Sequence, residues 1–251
     1  MSKTLHETAP RTAIIMGASS GMGHAVACLL LDDGWRVAVA ARRTSLLEPL
    51  QMRYPDRVVV RRVDVNEDSA SQALLTLMTD LGKVDLYFHV SGVGYQNYDL
   101  DASRELLTVQ TNAMGFARLV GTAFRFFAQQ GSGHLAVLSS IAGTKGLGAA
   151  PAYSATKAFQ NTYIQALEQQ ANIRHLPISF TDIRPGFVDT ALLNDGKHYP
   201  MLMSTERVAR HIVRAIKHKR HVCVIDWRYR VLTTLWRLIP NVLWRHLPVH
   251  N

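Results

Sequence analysis

The sequence predicts an α/β protein built on a doubly wound parallel sheet of about seven strands, in three layers with helices on both faces. Three observations carry this. Short apolar runs alternate with amphipathic, helix-length runs from end to end, the pattern of strands joined by crossover helices. A glycine-rich turn stands directly between the first apolar run and the first amphipathic one. No repeat, low-complexity stretch or Pro/Gly/Ser-rich linker divides the 251 residues. Residues 1–226 therefore read as one domain, and 227–251 as an extension that leaves the alternation.

Taken in order, 13–16 is uniformly apolar and reads as a buried strand. The next helix puts Met22, Val26, Leu29 and Leu30 on one face and stops at Gly34. Strands follow at 35–41, 58–63 and 86–90, with an amphipathic helix marked by Ala70, Leu74, Leu77, Met78 and Leu81 before the last of these. A long helix is expected over 104–129, a strand at 135–138, a helix at 152–171 and a strand at 178–183. Ser204 is placed to cap a helix through 216, and 222–225 is the seventh strand. In the extension Val231, Leu235, Leu238, Ile239, Val242 and Leu243 recur at helical spacing, with Pro240 as a break. Arg228, Arg230, Arg237, Arg245, Trp236 and Trp244 accompany them. Such a basic amphipathic segment suits a membrane surface, but packing on its own domain or on a partner subunit is the expectation.

An apolar share of 47% is ample for a core. No eighteen-residue apolar run exists, so no spanning helix is predicted. The first eleven residues are polar and lack the apolar centre of a secretory signal. Cys28 and Cys223 lie far apart in a helix-like and a strand-like run, which suits small buried hydrophobes in a reducing compartment. A cytoplasmic location is the resulting expectation. The net charge of +9 comes without a block of five or six basic residues, so nucleic acid is not an expected partner. Lys217, Lys219 and Arg220 with His218 and His221 read as a solvated turn. His211, His218 and His221 lack partners at ligand spacing, and no metal is expected.

The glycine turn is Gly17-Ala18-Ser19-Ser20-Gly21-Met22-Gly23. Glycine lets backbone amides approach a pyrophosphate, and the following helix points its positive end there. As the first turn of an alternating β/α chain, it stands where a dinucleotide site belongs. The second strand ends in Ala40-Ala41-Arg42-Arg43, with no carboxylate to accept from a ribose 2'-OH. Two guanidiniums suit a 2'-phosphate instead, which predicts NADP(H). Asp64-Val65 ends the third strand, where a carboxylate can accept from the adenine amino group. Further on, Ser140 precedes Tyr153 by thirteen residues and Tyr153 precedes Lys157 by four. On a helix the last two project from one face. Unit charges ~6 Å apart at an effective dielectric of ~20 interact by about 3 kcal/mol. That moves a phenol about two pKa units, from near 10 toward 8, so Tyr153 is expected to exchange protons with a carbonyl or alcohol while Ser140 holds the same oxygen.

With the glycine turn at 17–23, Asp64, Asn112, Ser140, Tyr153, Lys157 and Pro185-Gly186 all in order, the chain resembles the short-chain dehydrogenase/reductase family over nearly its whole length. The resemblance implies a Rossmann-like sheet around a nicotinamide dinucleotide and an Asn-Ser-Tyr-Lys tetrad. Tyr153 would be the general acid/base, Ser140 would hold the substrate oxygen, and Lys157 would bond the nicotinamide ribose. Asn112 would hold a water linking Lys157 to solvent. Ser139, on the opposite side of the strand end, is not counted. The turn through Val188, Asp189 and Thr190 would cover the nicotinamide, and a homodimer, or a tetramer, would form through the helices at 104–129 and 152–171. Three departures stand out: Met16 where the family has Thr, His89-Val90-Ser91-Gly92 where it has Asn-Asn-Ala-Gly, and a tail where many members close on a Gly-rich segment.

The variable segment from Ala191 to Met203 is mostly apolar, with Leu192, Leu193, Tyr199 and Leu202 around Asp195, Lys197 and His198. With Tyr95 it suggests a lipophilic carbonyl or alcohol substrate. The expected activity is NADP(H)-dependent reduction of a ketone or the reverse oxidation. The alternatives are an NADPH-binding regulatory or scaffold protein without turnover, and reduction of a ketoacyl group on an acidic carrier docked by Arg118 and Arg125.

Overall fold

The computed structural model describes residues 10–193 and 199–249, the Leu192 side chain excepted. Seven parallel strands form one sheet: β1 (Thr12–Met16), β2 (Arg36–Ala41), β3 (Val58–Arg62), β4 (Leu86–His89), β5 (Gly133–Leu138), β6 (Ile178–Arg184) and β7 (Val222–Val224). Their spatial order is β3-β2-β1-β4-β5-β6-β7. The chain thus reverses direction across the sheet between β1 and β4, and this is where a crevice opens at the carboxyl ends of the strands.

Alternation along each strand divides the core in two. Ala13, Ile15, Val37, Val39 and Phe88 face one side, under α1 (Gly21–Asp32) and α7 (Thr205–Lys217). Ile14, Met16, Tyr87, Leu135 and Val137 face the other, under α3 (Ala70–Leu81) and α5 (Phe116–Gln130). Because both faces are covered, the central strands are apolar at nearly every position and read as continuous runs. Ser204 caps α7 as expected, its hydroxyl accepting from the Arg207 N–H at 3.4 Å.

Two departures concern helices. A short helix, α2 (Glu48–Arg53), occupies a stretch the periodicity left unassigned. The single helix expected over 104–129 is three pieces: α4 (Ala102–Val109), a π turn at Gln110–Gly115, and α5. The π turn gives way where Gly115 lies against the Val65 carbonyl, a place where an added Cβ would come within 2.8 Å. α6 (Pro151–Ile173) packs beside these pieces.

The extension forms α8 (Trp227–Leu238) and α9 (Asn241–Trp244), broken at Pro240. The expected apolar face is not the one that packs on the domain. Val231, Leu235, Leu238, Val242 and Leu243 are all exposed, while Tyr229 and Thr233 seat the helix. The Tyr229 ring lies so close over Gly186 that a Cβ there would come within 2.2 Å of it. Its hydroxyl donates to the Pro200 carbonyl at 3.0 Å and accepts from the Phe187 N–H at 3.2 Å. Cys28 and Cys223 are free thiols, each only half-buried. Tyr229→Phe keeps the ring and leaves the Phe187 N–H without its partner. It is expected to lower unfolding stability by about 1–3 kcal/mol in urea titrations, and a loss below about 0.5 kcal/mol would show that this turn is held by something else.

Candidate active site

The glycine turn closes over the crevice through contacts only glycine permits. Gly17 has φ +97°, and a Cβ on it would stand 2.7 Å from the Ser91 nitrogen. A Cβ on Gly23 would come within 2.2 Å of the Gly17 carbonyl oxygen. The Gly17 N–H donates to the Ala40 carbonyl at 2.8 Å, which ties the turn to the end of β2. Gly21, at φ +54°, lies beside Thr190 from the loop after β6, with the Thr190 methyl 3.5 Å from the Cβ site. Ser19 is half-buried, Ser20 is exposed, and Met22 packs against the core. The Ser20 side chain makes no cap bond, and the first turn of α1 carries no acidic residue. The positive end of α1 is therefore uncompensated.

Arg42 and Arg43 stand exposed just past β2, and neither is engaged by a carboxylate among the described residues. Asp64 follows β3 and accepts from the Asn66 N–H at 3.0 Å through one oxygen. Val65 is buried, and its carbonyl accepts from Arg118 at 3.2 Å. Arg118 also reaches the Glu67 carbonyl and Asp68, so the guanidinium proposed for carrier docking is tied into this loop.

Asn112 sits in the π turn, fully buried. Its side chain clamps the backbone of Val93, accepting from the N–H at 2.9 Å and donating to the carbonyl at 2.7 Å. Gly92 passes directly over it, with 3.2 Å between the Asn112 oxygen and the Cβ site. Ser140, two residues past β5, is extended and begins a single 3-10 turn, where its hydroxyl accepts from the Ala142 N–H at 3.1 Å. Ser139 points the other way and donates to buried Asp182, which also holds Arg184 at 2.6 Å. Pro151 starts α6, and from it Tyr153 and Lys157 project together, the ammonium 5.7 Å from the centre of the phenol ring.

Lys157 is buried, and its ammonium donates to the Leu138 carbonyl and to the Gln160 side-chain oxygen, each at 3.0 Å. The Gln160 amide nitrogen in turn donates to the Asn112 carbonyl at 2.8 Å. Gln160 thus connects the Lys157 ammonium to the Asn112 backbone. Burial pushes the Lys157 pKa down to about 8, with nearby Asp182 opposing. Tyr153 departs from expectation. Burial raises its pKa, and a bond from Ser140 opposes that rise. Burial is the larger of these two effects, so the phenol is held in its protonated form. Of Asn112, Ser140, Tyr153 and Lys157, only Tyr153 keeps an appreciable exposed surface.

His89 borders the same group. Its Nδ1 bonds the Tyr87 hydroxyl at 2.9 Å, and burial with the Lys157 charge lowers its pKa to about 3. Val90 is held through its backbone, its N–H donating to the Met16 carbonyl at 2.8 Å.

The outer wall comes from the loop after β6. Pro185 is buried and its carbonyl accepts from the Ile141 N–H at 3.1 Å, fixing Pro185-Gly186 beside Ser140. Val188 is buried and bridges to Met203. Leu193 is half-buried, and its N–H donates to the Thr190 carbonyl at 2.9 Å. Tyr95 is partly exposed, with the Arg104 guanidinium 5.9 Å from its ring centre. The Leu192 side chain and Asp195, Lys197 and His198 lie outside the described residues. Gln160 was not singled out from the sequence, and His89 was noted only as part of a departure from the family's pattern. Gln160 stands one helical turn after Lys157 on the same face, which is the signal that would have found it.

A family model described as short chain dehydrogenase matches residues 11–199. An oxidoreductase of Myxococcus xanthus is 30% identical over 94% of this chain and 96% of its own length. Among solved structures, a short chain dehydrogenase/reductase from Burkholderia phymatum in complex with NAD superposes with a TM-score of 0.82 at 21% identity, over 96% of this chain and 97% of that one. A short chain dehydrogenase from Burkholderia cenocepacia in complex with NADP gives 0.82 at 16% identity, over 96% and 98%.

Gln160→Leu removes an acceptor that favours the charged form of Lys157, so the pKa is expected to fall further below about 8. Carbon-13 NMR of the lysine ε-carbon, assigned with Lys157→Arg, reads this directly. An unmoved titration would show that the amide does not share the ammonium.

Proposed function

The chain belongs to the short-chain dehydrogenase/reductase family of oxidoreductases, and from that premise we propose that it transfers hydride reversibly between NADP(H) and a ketone or secondary alcohol. One observation carries the reading: a neutral, partly exposed Tyr153 phenol held between the Ser140 hydroxyl and the Lys157 ammonium.

The residues present fit a dinucleotide. The uncompensated start of α1, the close glycine contacts at Gly17 and Gly23, and Thr190 beside Gly21 make a cradle with a positive end. Gly92 leaves room above Asn112 and Lys157, and Pro185, Gly186, Val188 and Thr190 wall the far side. Arg42 and Arg43, free of internal carboxylates, suit a 2'-phosphate, and Asp64 keeps an oxygen for the adenine amine. Bound NADPH supplies the hydride.

This chain's own residues manage the oxygen of the substrate. Ser140 fixes it, and Tyr153 delivers its phenolic proton as negative charge grows there. Lys157 then stabilises the resulting phenolate, its own position set by Leu138 and Gln160. A phenol whose pKa is raised starts in the protonated form, which favours reduction at neutral pH, while the reverse oxidation gains as pH rises. The half-buried Leu193, the Phe187–Tyr199 ring contact at 4.9 Å and Tyr95 support a lipophilic substrate.

Tyr153→Phe is expected to cut ketone reduction by about 10²–10⁴-fold while NADPH still binds. Wild-type turnover in that variant would refute the assignment. Arg42→Ala is expected to weaken NADPH about 10–100-fold and leave NADH nearly unchanged, by titration of cofactor fluorescence. Equal losses for the two cofactors would remove the basis for choosing NADP(H).

A further inference from the structure

The net charge of +9 is confined to one part of the chain. Residues 207–251 contain ten Lys and Arg against the single acid Asp226, which accounts for all of it. The preceding 206 residues carry eighteen charges of each sign and balance. Within the basic part, α8 presents a second apolar row besides the one that seats it. Trp227, Val231, Leu235 and Leu238 fall within roughly an 80° arc at 100° per residue, and they are exposed by 70%, 51%, 54% and 73%. Arg230 and Arg237 border this row on one side; on the other stands Arg228, whose guanidinium is held by Asp226 through two bonds of 3.0 Å. Beyond Pro240 the row continues in Val242 and Leu243, both exposed. The pair of helices is held firmly. Tyr229 and Thr233 are buried, the Trp244 indole donates to the Gly146 carbonyl at 2.8 Å, and the Lys145 ammonium donates to the Ile239 carbonyl at 2.9 Å.

We propose that α8 and α9 form an interfacial surface by which this protein docks on a bilayer containing anionic lipid. An exposed apolar ridge flanked by Arg230 and Arg237 matches the boundary between acyl chains and anionic headgroups, where the arginine stems lie on apolar surface and the guanidiniums reach phosphate. No helix among the described residues is long and apolar enough to cross a membrane, so the contact is one of lying on the surface. A second copy is disfavoured by the charge: pairing this face with itself would bring two strongly basic segments together. An extended nucleic acid would satisfy the arginines and leave the apolar ridge in water.

Co-sedimentation of the full chain with vesicles tests this, comparing phosphatidylcholine alone with phosphatidylcholine containing phosphatidylglycerol at low salt. Binding at least about tenfold stronger to the anionic vesicles is expected, with a blue shift of tryptophan fluorescence that Trp227→Phe diminishes. Leu235→Asp with Leu238→Asp is expected to reduce binding at least tenfold. Arg230→Ala and Arg237→Ala are each expected to reduce it about fivefold. Both sets of changes are at exposed positions, and circular dichroism melting checks that the fold persists. Absence of binding to anionic vesicles, equal binding to neutral ones, or binding untouched by either set would overturn the proposal. So would a halving of the light-scattering mass by the leucine changes, which would make the face a contact between copies.

Discussion

An ammonium group without water needs acceptors, and the demands of Lys157 join otherwise separate parts of the molecule. Its partners are the last carbonyl of β5 and the Gln160 amide one turn further along α6. Through Gln160 the demand reaches the Asn112 carbonyl, which lies in the π turn. Asn112 in turn holds the Val93 backbone, which sets the segment carrying Gly92 over the crevice. The sheet end, two helices and the loop after β4 are consequently fixed by one continuous set of bonds. Losing any member leaves a buried polar group unpaired, which costs about 1–3 kcal/mol, more where the group is charged.

A second set of contacts brings the other wall to this centre. Pro185 is held to the turn after Ser140, Thr190 touches Gly21, and Val188 is bridged to Met203. None of these lies in the sheet, so the loop depends on what backs it. That backing is Tyr229, whose ring covers Gly186 and whose hydroxyl satisfies Phe187 and Pro200. The extension beyond β7 is therefore part of how the crevice keeps its shape, and its outward face is left over for another use.

The doubly wound parallel sheet and most element positions were legible because buried parallel strands leave unbroken apolar runs between turns. Ser140, Tyr153 and Lys157 were legible as a group only once their spacing was set beside the glycine turn, Asn112 and Pro185-Gly186, and Tyr153 lies near both of the others. The π turn was not, since one extra residue in a helix barely disturbs an amphipathic pattern. Gln160 was hidden because its partner Asn112 is 48 positions away in sequence. The pKa of Tyr153 was misjudged for a physical reason: charge proximity can be guessed from a spacing, whereas burial depends on everything packed around the phenol. In α8 two apolar rows compete, and the longer one was expected to pack on the domain or on a partner subunit. The shorter row won because Tyr229 and Thr233 also satisfy backbone and turn groups, which Val231 and Leu235 cannot.

Charge gathered on one segment acts as a local dipole, and in the extension after β7 Arg228, Arg230, Arg237 and Arg245 occur with no acid beyond Asp226. A dipole in a field gradient feels a torque as well as a pull. Near a negatively charged surface such a segment would be drawn forward before contact, within a screening length of about 8–10 Å at physiological salt. Orientation, which a uniformly charged particle would have to find by random tumbling, is thus written into the order of residues along the chain.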